Sequence, residues 1–156
     1  MIRSAVAGND RTLDIGCGTG LGTIAASHIA ARVLGIDPST AMLTKLEKKI
    51  KKHAISNIET RAGFFPQVMK PHEKFDSVIT SFMLAHLRQE QRSGVFKAMH
   101  ACLENGGRVG IFAARGEIAP VFQTRMEMED NLSSAGFSNY VIEDMDDIYR
   151  IAIAEK

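Results

Sequence analysis

Short apolar runs alternate with longer amphipathic stretches from one end of the 156-residue chain to the other. Runs such as residues 11–15 (RTLDI) and 75–80 (FDSVIT) have the length and composition of buried strands. The stretches between them place apolar residues at helical spacing, as Leu43, Leu46 and Ile50 do. This strand–helix alternation predicts an α/β fold with a doubly wound, mostly parallel sheet and helices on both faces.

Seven predicted strands and about five predicted helices account for nearly the whole chain, so residues 1–156 are expected to form a single domain. The strands are predicted at residues 11–15, 32–36, 58–62, 75–80, 109–113, 140–142 and 148–154. The helices are predicted at residues 20–31, from Ser39 or Thr40 onward, at 89–103 with a stop at 105–107 (NGG), and from about Pro120 to Ala135. The acidic stretch 143–147 (EDMDD) predicts a hairpin, which adds one antiparallel strand to the sheet.

The composition excludes several classes of protein. Nineteen Lys and Arg residues against eighteen Asp and Glu residues give a net charge of +1, so no global field attracts nucleic acid or anionic lipid. No apolar stretch approaches the roughly 20 residues of a membrane helix, and the ten residues before the first predicted strand hold no signal-peptide segment. Two cysteines in separate segments fit a reducing compartment, and the five histidines lack metal-ligand spacing. We therefore expect a cytoplasmic protein with no nucleic-acid, membrane or metal partner.

A glycine-rich turn, residues 14–20 (DIGCGTG), separates the first predicted strand from a helix. Glycines at this place let the backbone turn tightly and approach a ligand closely. The spacing differs from the G-x-G-x-x-G dinucleotide fingerprint, whose third glycine would fall on Leu21 or Thr23, and no Lys-Ser/Thr pair completes a Walker motif. The pattern that remains, D-x-G-x-G-x-G, has an acid two residues before the first glycine. Such an acid suits a cationic ligand group, for example an ammonium.

A second acid, Asp37, ends the second predicted strand 21 residues after Gly16. In nucleotide-binding α/β folds, a carboxylate at this position accepts the hydroxyl groups of a ribose. Together with Asp14, it predicts a site for a nucleoside that carries a positive or zwitterionic tail.

These segments resemble the motifs of the class I S-adenosylmethionine-dependent methyltransferases. The resemblance rests on residues 13–20 (LDIGCGTG), 33–43 (VLGIDPSTAML), 103–112 (LENGGRVGIF) and 135–137 (AGF). Residues 75–87 (FDSVITSFMLAHL) resemble the small-molecule, type 11-like subgroup of that family. The resemblance implies a Rossmann-like sheet of strand order 3-2-1-4-5-7-6 and S-adenosylmethionine (SAM) as cofactor, bound above the carboxyl ends of strands 1, 2 and 4.

The resemblance also implies which residues bind the cofactor. They are Asp14, Gly16, Cys17, Gly18, Thr19, Gly20, Asp37, Pro38, Met42, Gly63, Phe64, Ser81 and Phe82. Within this set Asp14, Gly16 and Gly18 would lie near the methionine moiety, Asp37 would hold the ribose, and Pro38 or Met42 would lie against the adenine. Ser81 and Phe82 would flank the sulfonium. Many relatives carry Gly-Asp after strand 3, where this chain has Gly63 and Phe64, so backbone contacts or stacking must replace that acid.

The predicted function is methyl transfer to a small-molecule acceptor by in-line displacement. The alternatives are a donor-binding but inactive partner or sensor protein and a nicotinamide-dependent oxidoreductase. His86, within 84–87 (LAHL), is the candidate catalytic base, with a backbone-bonding structural histidine as the alternative. Arg115 could pair with an acceptor carboxylate or be solvated. No histidine lies near Cys17 in the sequence, so nucleophilic catalysis by its thiol is not expected.

Two further expectations concern apolar side chains. Met126, Met128, Phe122 and Leu132 are predicted to pack a late helix against the sheet. The apolar rim near Phe82, Met83 and Phe122 is expected to lack an intrachain lid, which favours either self-association or a segment that closes on binding.

Overall fold

A computed structural model describes residues 1–116 and 122–156 of the chain. Within them, seven strands form one sheet of order β3-β2-β1-β4-β5-β7-β6. The strands are β1 (Arg11–Ile15), β2 (Arg32–Asp37), β3 (Ile58–Ala62), β4 (Phe75–Ser81), β5 (Leu103–Ala114), β6 (Ser138–Met145) and β7 (Tyr149–Glu155). The helices are α1 (Ile2–Ala5), α2 (Leu21–Ser27), α3 (Thr40–Lys52), α4 (Gln89–Cys102) and α5 (Arg125–Ala135), and a 3-10 turn spans Met83–His86.

The strand directions confirm the predicted fold class. Strand β1 is parallel to both β2 and β4, β2 is parallel to β3, and β4 is parallel to β5. Strand β7 is antiparallel to β5 and to β6, which closes the sheet with the predicted hairpin. The chain winds away from β1 in one direction through β2 and in the other through β4, so a topological switch point lies at the carboxyl ends of β1 and β4. Ligands of open α/β sheets bind at such points.

Side-chain alternation along the strands separates two apolar layers. Leu13 and Ile15 of β1 belong to the cluster that includes the buried residues of α4 and α5. A second cluster joins α1 and α2 to the sheet through residues such as Ala5, Ala26 and Val33. The helices therefore cover both faces of the sheet, and Asp14, between Leu13 and Ile15, faces the α2 side.

Several element boundaries differ from the sequence prediction. Helix α4 ends at Cys102, and the sequence NGG, predicted to stop that helix, lies inside β5. The reason is a tertiary contact with the last residue of the chain, since Gly106 N–H donates to the Lys156 carbonyl and Lys156 N–H donates to the Gly107 carbonyl. Helix α2 ends at Ser27, four residues before the predicted end, and the Asn57 amide bonds the carbonyls of Ser27 and Ala30.

Helix α1 was not predicted, and helix α5 begins later than predicted. Ala5 of α1 is fully buried. It packs closely against β5 at Gly110, where a Cβ would lie only 2.7 Å from the Ala5 Cβ. Helix α5 begins after Thr124, whose hydroxyl accepts the Glu127 N–H, while Pro120 lies outside the described residues. Met128 and Leu132 are buried as predicted, but the prediction for Met126 is wrong, because its side chain is 71% exposed.

Candidate nucleoside site

A cavity of about 410 Å³ opens at the carboxyl ends of β1, β2 and β4. Nine of the residues singled out from the sequence line it: Gly16, Gly18, Asp37, Pro38, Met42, Gly63, Phe64, Ser81 and His86. Seven other residues also line it: Ile15, Ile36, Ser39, Phe65, Met83, Leu87 and Val95. Of these, Met83 was expected in the apolar rim, and the other six were not predicted to bind. Five separate segments of the chain thus meet around one space, at the place where the topology predicts ligand binding.

The glycine-rich turn forms one wall of the cavity. The N–H groups of Gly16 and Cys17 donate to the Ile36 carbonyl at 2.8 and 3.0 Å, which ties the turn to β2. Gly16 has a φ of +72°, and a Cβ there would lie 2.6 Å from the Met83 Cγ. Gly18 also has a positive φ, +53°, but a Cβ there would meet no atom within 4 Å. The turn is therefore packed tightly at Gly16 and open at Gly18.

Asp37 joins this turn to the start of α3. Its Oδ2 accepts the Gly18 N–H and its Oδ1 accepts the Ser39 N–H, both at 2.8 Å. Ser39 in turn caps α3, since its hydroxyl accepts the Met42 N–H at 3.3 Å. Each carboxylate oxygen has more than one acceptor position, so Asp37 can accept ligand hydroxyls while it keeps both backbone contacts.

Asp14 lies beneath the glycine-rich turn, outside the cavity wall, and only 2% of its surface is exposed. Its Oδ2 accepts the Thr23 hydroxyl at 2.6 Å. Burial raises the pKa of Asp14 to about 6, while hydrogen bonds from Thr23 lower it and the Asp37 charge raises it further. This position differs from the one expected beside a ligand ammonium, because strand alternation turns the side chain towards α2.

Three more of the candidate binding residues lie away from the cavity wall. Cys17 is buried, and burial together with the charges of Asp14 and Asp37 raises the pKa of its thiol to about 12. Its thiol is thus protonated at neutral pH. The Thr19 carbonyl accepts Lys49 Nζ at 2.7 Å. Gly20 packs against α3, since a Cβ there would lie 2.2 Å from the Leu46 Cδ1.

The segment after β3 forms the wall opposite the turn. Gly63 N–H donates to the Asp37 carbonyl at 3.1 Å, and its φ is +146°. A Cβ at Gly63 would lie 2.8 Å from the Val68 Cβ, so a larger residue there would displace the wall. The Phe64 side chain is 69% exposed and borders the cavity.

The end of β4 differs from the prediction at Phe82. Ser81 lines the cavity, but Phe82 has a left-handed φ of +58°, and its ring packs edge-to-face against Phe112 at 5.0 Å and Tyr149 at 5.9 Å. The position in the wall is taken by Met83, the first residue of the 3-10 turn. A left-handed phenylalanine gives no signal in the sequence.

His86, at the end of the 3-10 turn, borders the cavity and a second surface cavity of about 420 Å³. Within residues 1–116 and 122–156 its imidazole has no hydrogen-bond partner, so the predicted structural alternative of a backbone bond is not supported there. Arg115 instead lies against the hairpin, with its Nε 3.6 Å from Asp144 Oδ2 and its Nη1 donating to the Asp146 carbonyl.

In the described part of the chain, no group of three or more His, Cys, Asp or Glu side chains could hold a metal ion. No helix among those residues has the length and apolar character needed to cross a membrane.

Comparisons with known proteins agree with this architecture. A demethylmenaquinone methyltransferase of Alkalihalophilus pseudofirmus is 32% identical over 126 residues, which make up 79% of this chain and 52% of that protein. An S-adenosylmethionine-dependent methyltransferase from Mesorhizobium loti has the same fold, with a TM-score of 0.81 at 18% identity over 99% of this chain and 95% of that one. The DhpI-SAM-HEP complex gives a TM-score of 0.80 at 19% identity over 94% of this chain and 78% of that one.

The chain spans about half the length, or less, of the curated relatives it matches. A family model described as a methyltransferase domain matches residues 12–107, from β1 into β5. The chain therefore belongs to the methyltransferase domain family.

Proposed function

We propose that the chain binds SAM in the cavity of about 410 Å³ and transfers its methyl group to a small-molecule acceptor. The observation that carries this proposal is the meeting of five segments around one cavity at the switch point of the sheet. The volume lies within the range of about 300–1,000 Å³ that small-molecule sites occupy. Membership in the methyltransferase domain family supports the same activity.

The donor-binding roles follow from the chemistry of each wall. Asp37 accepts the ribose hydroxyls through the free acceptor positions of its carboxylate. The openness at Gly18 leaves space for the ligand beside the backbone. Pro38 and Met42 contact one face of the adenine and the exposed ring of Phe64 stacks on it, in place of the acid that many family members carry.

When bound, SAM supplies a methyl group on a sulfonium that is already activated for in-line displacement. The protein's remaining tasks are to align an acceptor with that group and to exclude water. Such alignment can account for roughly 7–11 kcal/mol of a barrier. Ser81 and Met83, at the carboxyl end of β4, form the wall that would exclude water on this side.

A small acceptor fits the balanced net charge of +1, which offers nothing to attract nucleic acid. The demethylmenaquinone methyltransferase among the relatives has a small molecule in its name and supports the same class of acceptor. The cytoplasmic location and the self-association expected from the apolar rim stay predictions.

The first experiment is a calorimetric titration of the protein with SAM, S-adenosylhomocysteine and NADH. We expect the two adenosyl ligands to bind and NADH not to bind. Asp37→Asn should weaken SAM binding by more than tenfold, because a hydrogen bond to a charged group contributes about 1.5–3 kcal/mol. Asp76→Asn is the matched control. The Asp76 carboxylate also accepts a backbone N–H at 2.8 Å, but Asp76 lies at the amino end of β4, away from the cavity at its carboxyl end. Equal SAM affinity in the unmodified chain and both variants would show that Asp37 does not bind the ribose.

His86 is the proposed base for an acceptor that must lose a proton. Its support is an exposed imidazole at the cavity border with no hydrogen bond among the described residues. His86→Gln should reduce turnover at least 30-fold, because a general base contributes about 10²–10⁴-fold and glutamine cannot accept the proton. Donor affinity and melting temperature should stay nearly unchanged, and His53→Gln, at the exposed residue just after α3, is the control. A fully active variant that melts several degrees lower would assign His86 a structural role instead.

An inactive donor-binding partner or sensor protein is the second candidate function. The observation that favours it is Phe64 at the position where many family members carry an acid. Screening small acceptors with labelled SAM separates the two candidates, because a sensor protein binds the donor and transfers no label.

A further inference from the structure

The 3-10 turn Met83–His86 is a single turn that supplies two residues to the cavity wall. It follows a left-handed residue, Phe82, and the backbone bonds at its two ends run from Ala85 N–H to the Phe82 carbonyl and from Leu87 N–H to the Leu84 carbonyl, at 3.3 and 3.2 Å. A single turn of this kind has little intrinsic stability. Its position therefore depends on side chains that pack against it.

Arg92 of α4 connects this turn to helix α5, where its partner Glu127 lies 35 residues further along the chain. Its guanidinium is almost fully buried, its Nε donates to the Leu84 carbonyl at 3.2 Å, and its Nη1 donates to Glu127 Oε1 at 2.9 Å. Glu127 lies in the first turn of α5, where its own N–H is bound by the capping hydroxyl of Thr124. One planar guanidinium thus fixes the turn, α4 and α5 relative to one another.

Global stability alone does not account for such a pair. Removing two charges from water is costly, and replacing a buried ion pair by apolar side chains is often neutral or stabilising. A geometric role accounts better for a buried arginine that directs one bond to the main chain of a functional turn.

The 3-10 turn contacts the glycine-rich turn closely at one point, so its position affects the position of the glycine-rich turn. The Met83 side chain fills the space above Gly16, where a Cβ would lie only 2.6 Å from the Met83 Cγ. Because the two segments have no gap between them at this point, a shift of the 3-10 turn must move Met83 or the backbone at Gly16.

We propose that Arg92 is a positioning residue that, together with Glu127, holds the turn Met83–His86 against the glycine-rich turn and so sets the affinity of the cavity for SAM. The proposal rests on the proposed function of the cavity. It assigns a role in donor binding to two residues of which neither lines that cavity.

The test compares SAM affinity in Arg92 variants, measured by calorimetry at a temperature where each variant is folded. Arg92→Met should weaken SAM binding at least tenfold. Arg92→Lys should lie between Arg92→Met and the unmodified chain, because one ammonium is less able to satisfy the Leu84 carbonyl and Glu127 together. Arg150→Met is the matched control, since Arg150 is similarly buried and bonds Asp144 at 2.6 and 3.1 Å, in β7, two strands away from β4. It should change SAM affinity by less than twofold.

Glu127 variants test the other half of the pair. Glu127→Gln keeps an acceptor for the guanidinium and should retain most of the affinity, while Glu127→Leu should share the loss seen in Arg92→Met. The double variant Arg92→Met/Glu127→Leu should bind SAM no more weakly than Arg92→Met alone, because both act through the same turn.

A second readout separates failure of this inference from failure of the proposed function. In the ligand-free protein, the methyl resonance of Met83 and the ring resonances of His86 should shift in Arg92→Met and stay unchanged in Arg150→Met. If the unmodified chain does not bind SAM, the proposed function is wrong, while these shifts still test the positioning of the turn. Unchanged resonances in Arg92→Met, or SAM affinity equal to that of the unmodified chain, would overturn the inference.

Discussion

The regions below and above the glycine-rich turn each hold an aspartate near the end of a strand, but the two carboxylates are in opposite environments. Below the turn, Asp14 is fully buried against α2 and bonds Thr23, and burial raises its pKa to about 6. Above the turn, Asp37 borders the cavity and accepts two backbone N–H groups. The lower carboxylate therefore belongs to the architecture, while the upper one remains available to a ligand.

The largest effect expected from this contrast concerns the two glycines of the turn. Gly16→Ala should lower the free energy of unfolding by about 4 kcal/mol, because a positive φ costs about 1–2 kcal/mol and an overpacked contact with Met83 adds about 1–3 kcal/mol. Gly18→Ala has the positive φ without the contact and should cost only about 1–2 kcal/mol. Urea denaturation of both variants measures the difference. Equal losses would mean that Met83 moves aside at little cost.

The sequence predicted the fold and most of the cavity for a physical reason. Alternating apolar runs and helices permit few sheet topologies, and those topologies bring the carboxyl ends of β1, β2 and β4 to one edge. Asp37 follows directly from that placement, while Ser81 and Gly63 were implied by the family resemblance; all three lie at the end of a strand or just beyond one. The fold class and the residues at strand ends are thus properties of pattern and connectivity.

The remaining wall depends on tertiary packing that no local pattern encodes. Val95 enters the wall because α4 packs on the sheet face that carries Leu13 and Ile15, and Met83 replaces Phe82 because the backbone at Phe82 is left-handed. The position of Asp14 could have been predicted, since strict alternation places it on the face opposite Leu13 and Ile15. At this position the strand periodicity decides where the side chain lies, and the acid pattern of the glycine-rich turn does not.

The second prediction concerns how the burial of Asp14 makes the free energy of unfolding depend on pH. The pKa of Asp14 is about 6 in the folded protein against a usual value of 3.8, so between these values the folded state binds more protons than the unfolded state. The contribution of Asp14 to stability therefore falls as the pH rises from about 4 to 6. At pH 7 the buried carboxylate should cost on the order of 3 kcal/mol relative to pH 4.

Asp14→Asn removes this titration. The free energy of unfolding of the variant minus that of the unmodified chain should rise by about 3 kcal/mol between pH 4 and pH 7, as measured by urea denaturation at each pH. Thr23→Val is the companion variant: it deletes the hydroxyl that lowers the pKa of Asp14, so the transition should move to higher pH. Parallel stability curves for Asp14→Asn and the unmodified chain would show that Asp14 is not the group that titrates.

The smallest expected effect concerns Phe64, in the cavity wall formed by the segment after β3. Phe64 is exposed and borders the cavity, so stacking on a flat base is its one clear contribution to binding. Aromatic pairs contribute about 0.5–1.5 kcal/mol, and Phe64→Ala should therefore weaken SAM binding roughly two- to tenfold. Its free energy of unfolding should change little, because 69% of the side chain is already in water.

Stacking and hydrogen bonding differ in what they recognise, which gives this last prediction its sharpest form. A ring that stacks has no contact with the amino group of adenine, so S-adenosylhomocysteine and S-inosylhomocysteine, in which a carbonyl replaces that group, should bind the unmodified chain with similar affinity. Phe64→Asp supplies an acceptor that pairs with the amino group and opposes the carbonyl, and it should favour the adenosyl ligand by about tenfold. Phe64→Leu keeps an apolar side chain without the ring and controls for lost contact area. If the unmodified chain already prefers the adenosyl ligand strongly, a polar group elsewhere in the cavity wall hydrogen-bonds the adenine amino group. Phe64 then only shields the base from solvent.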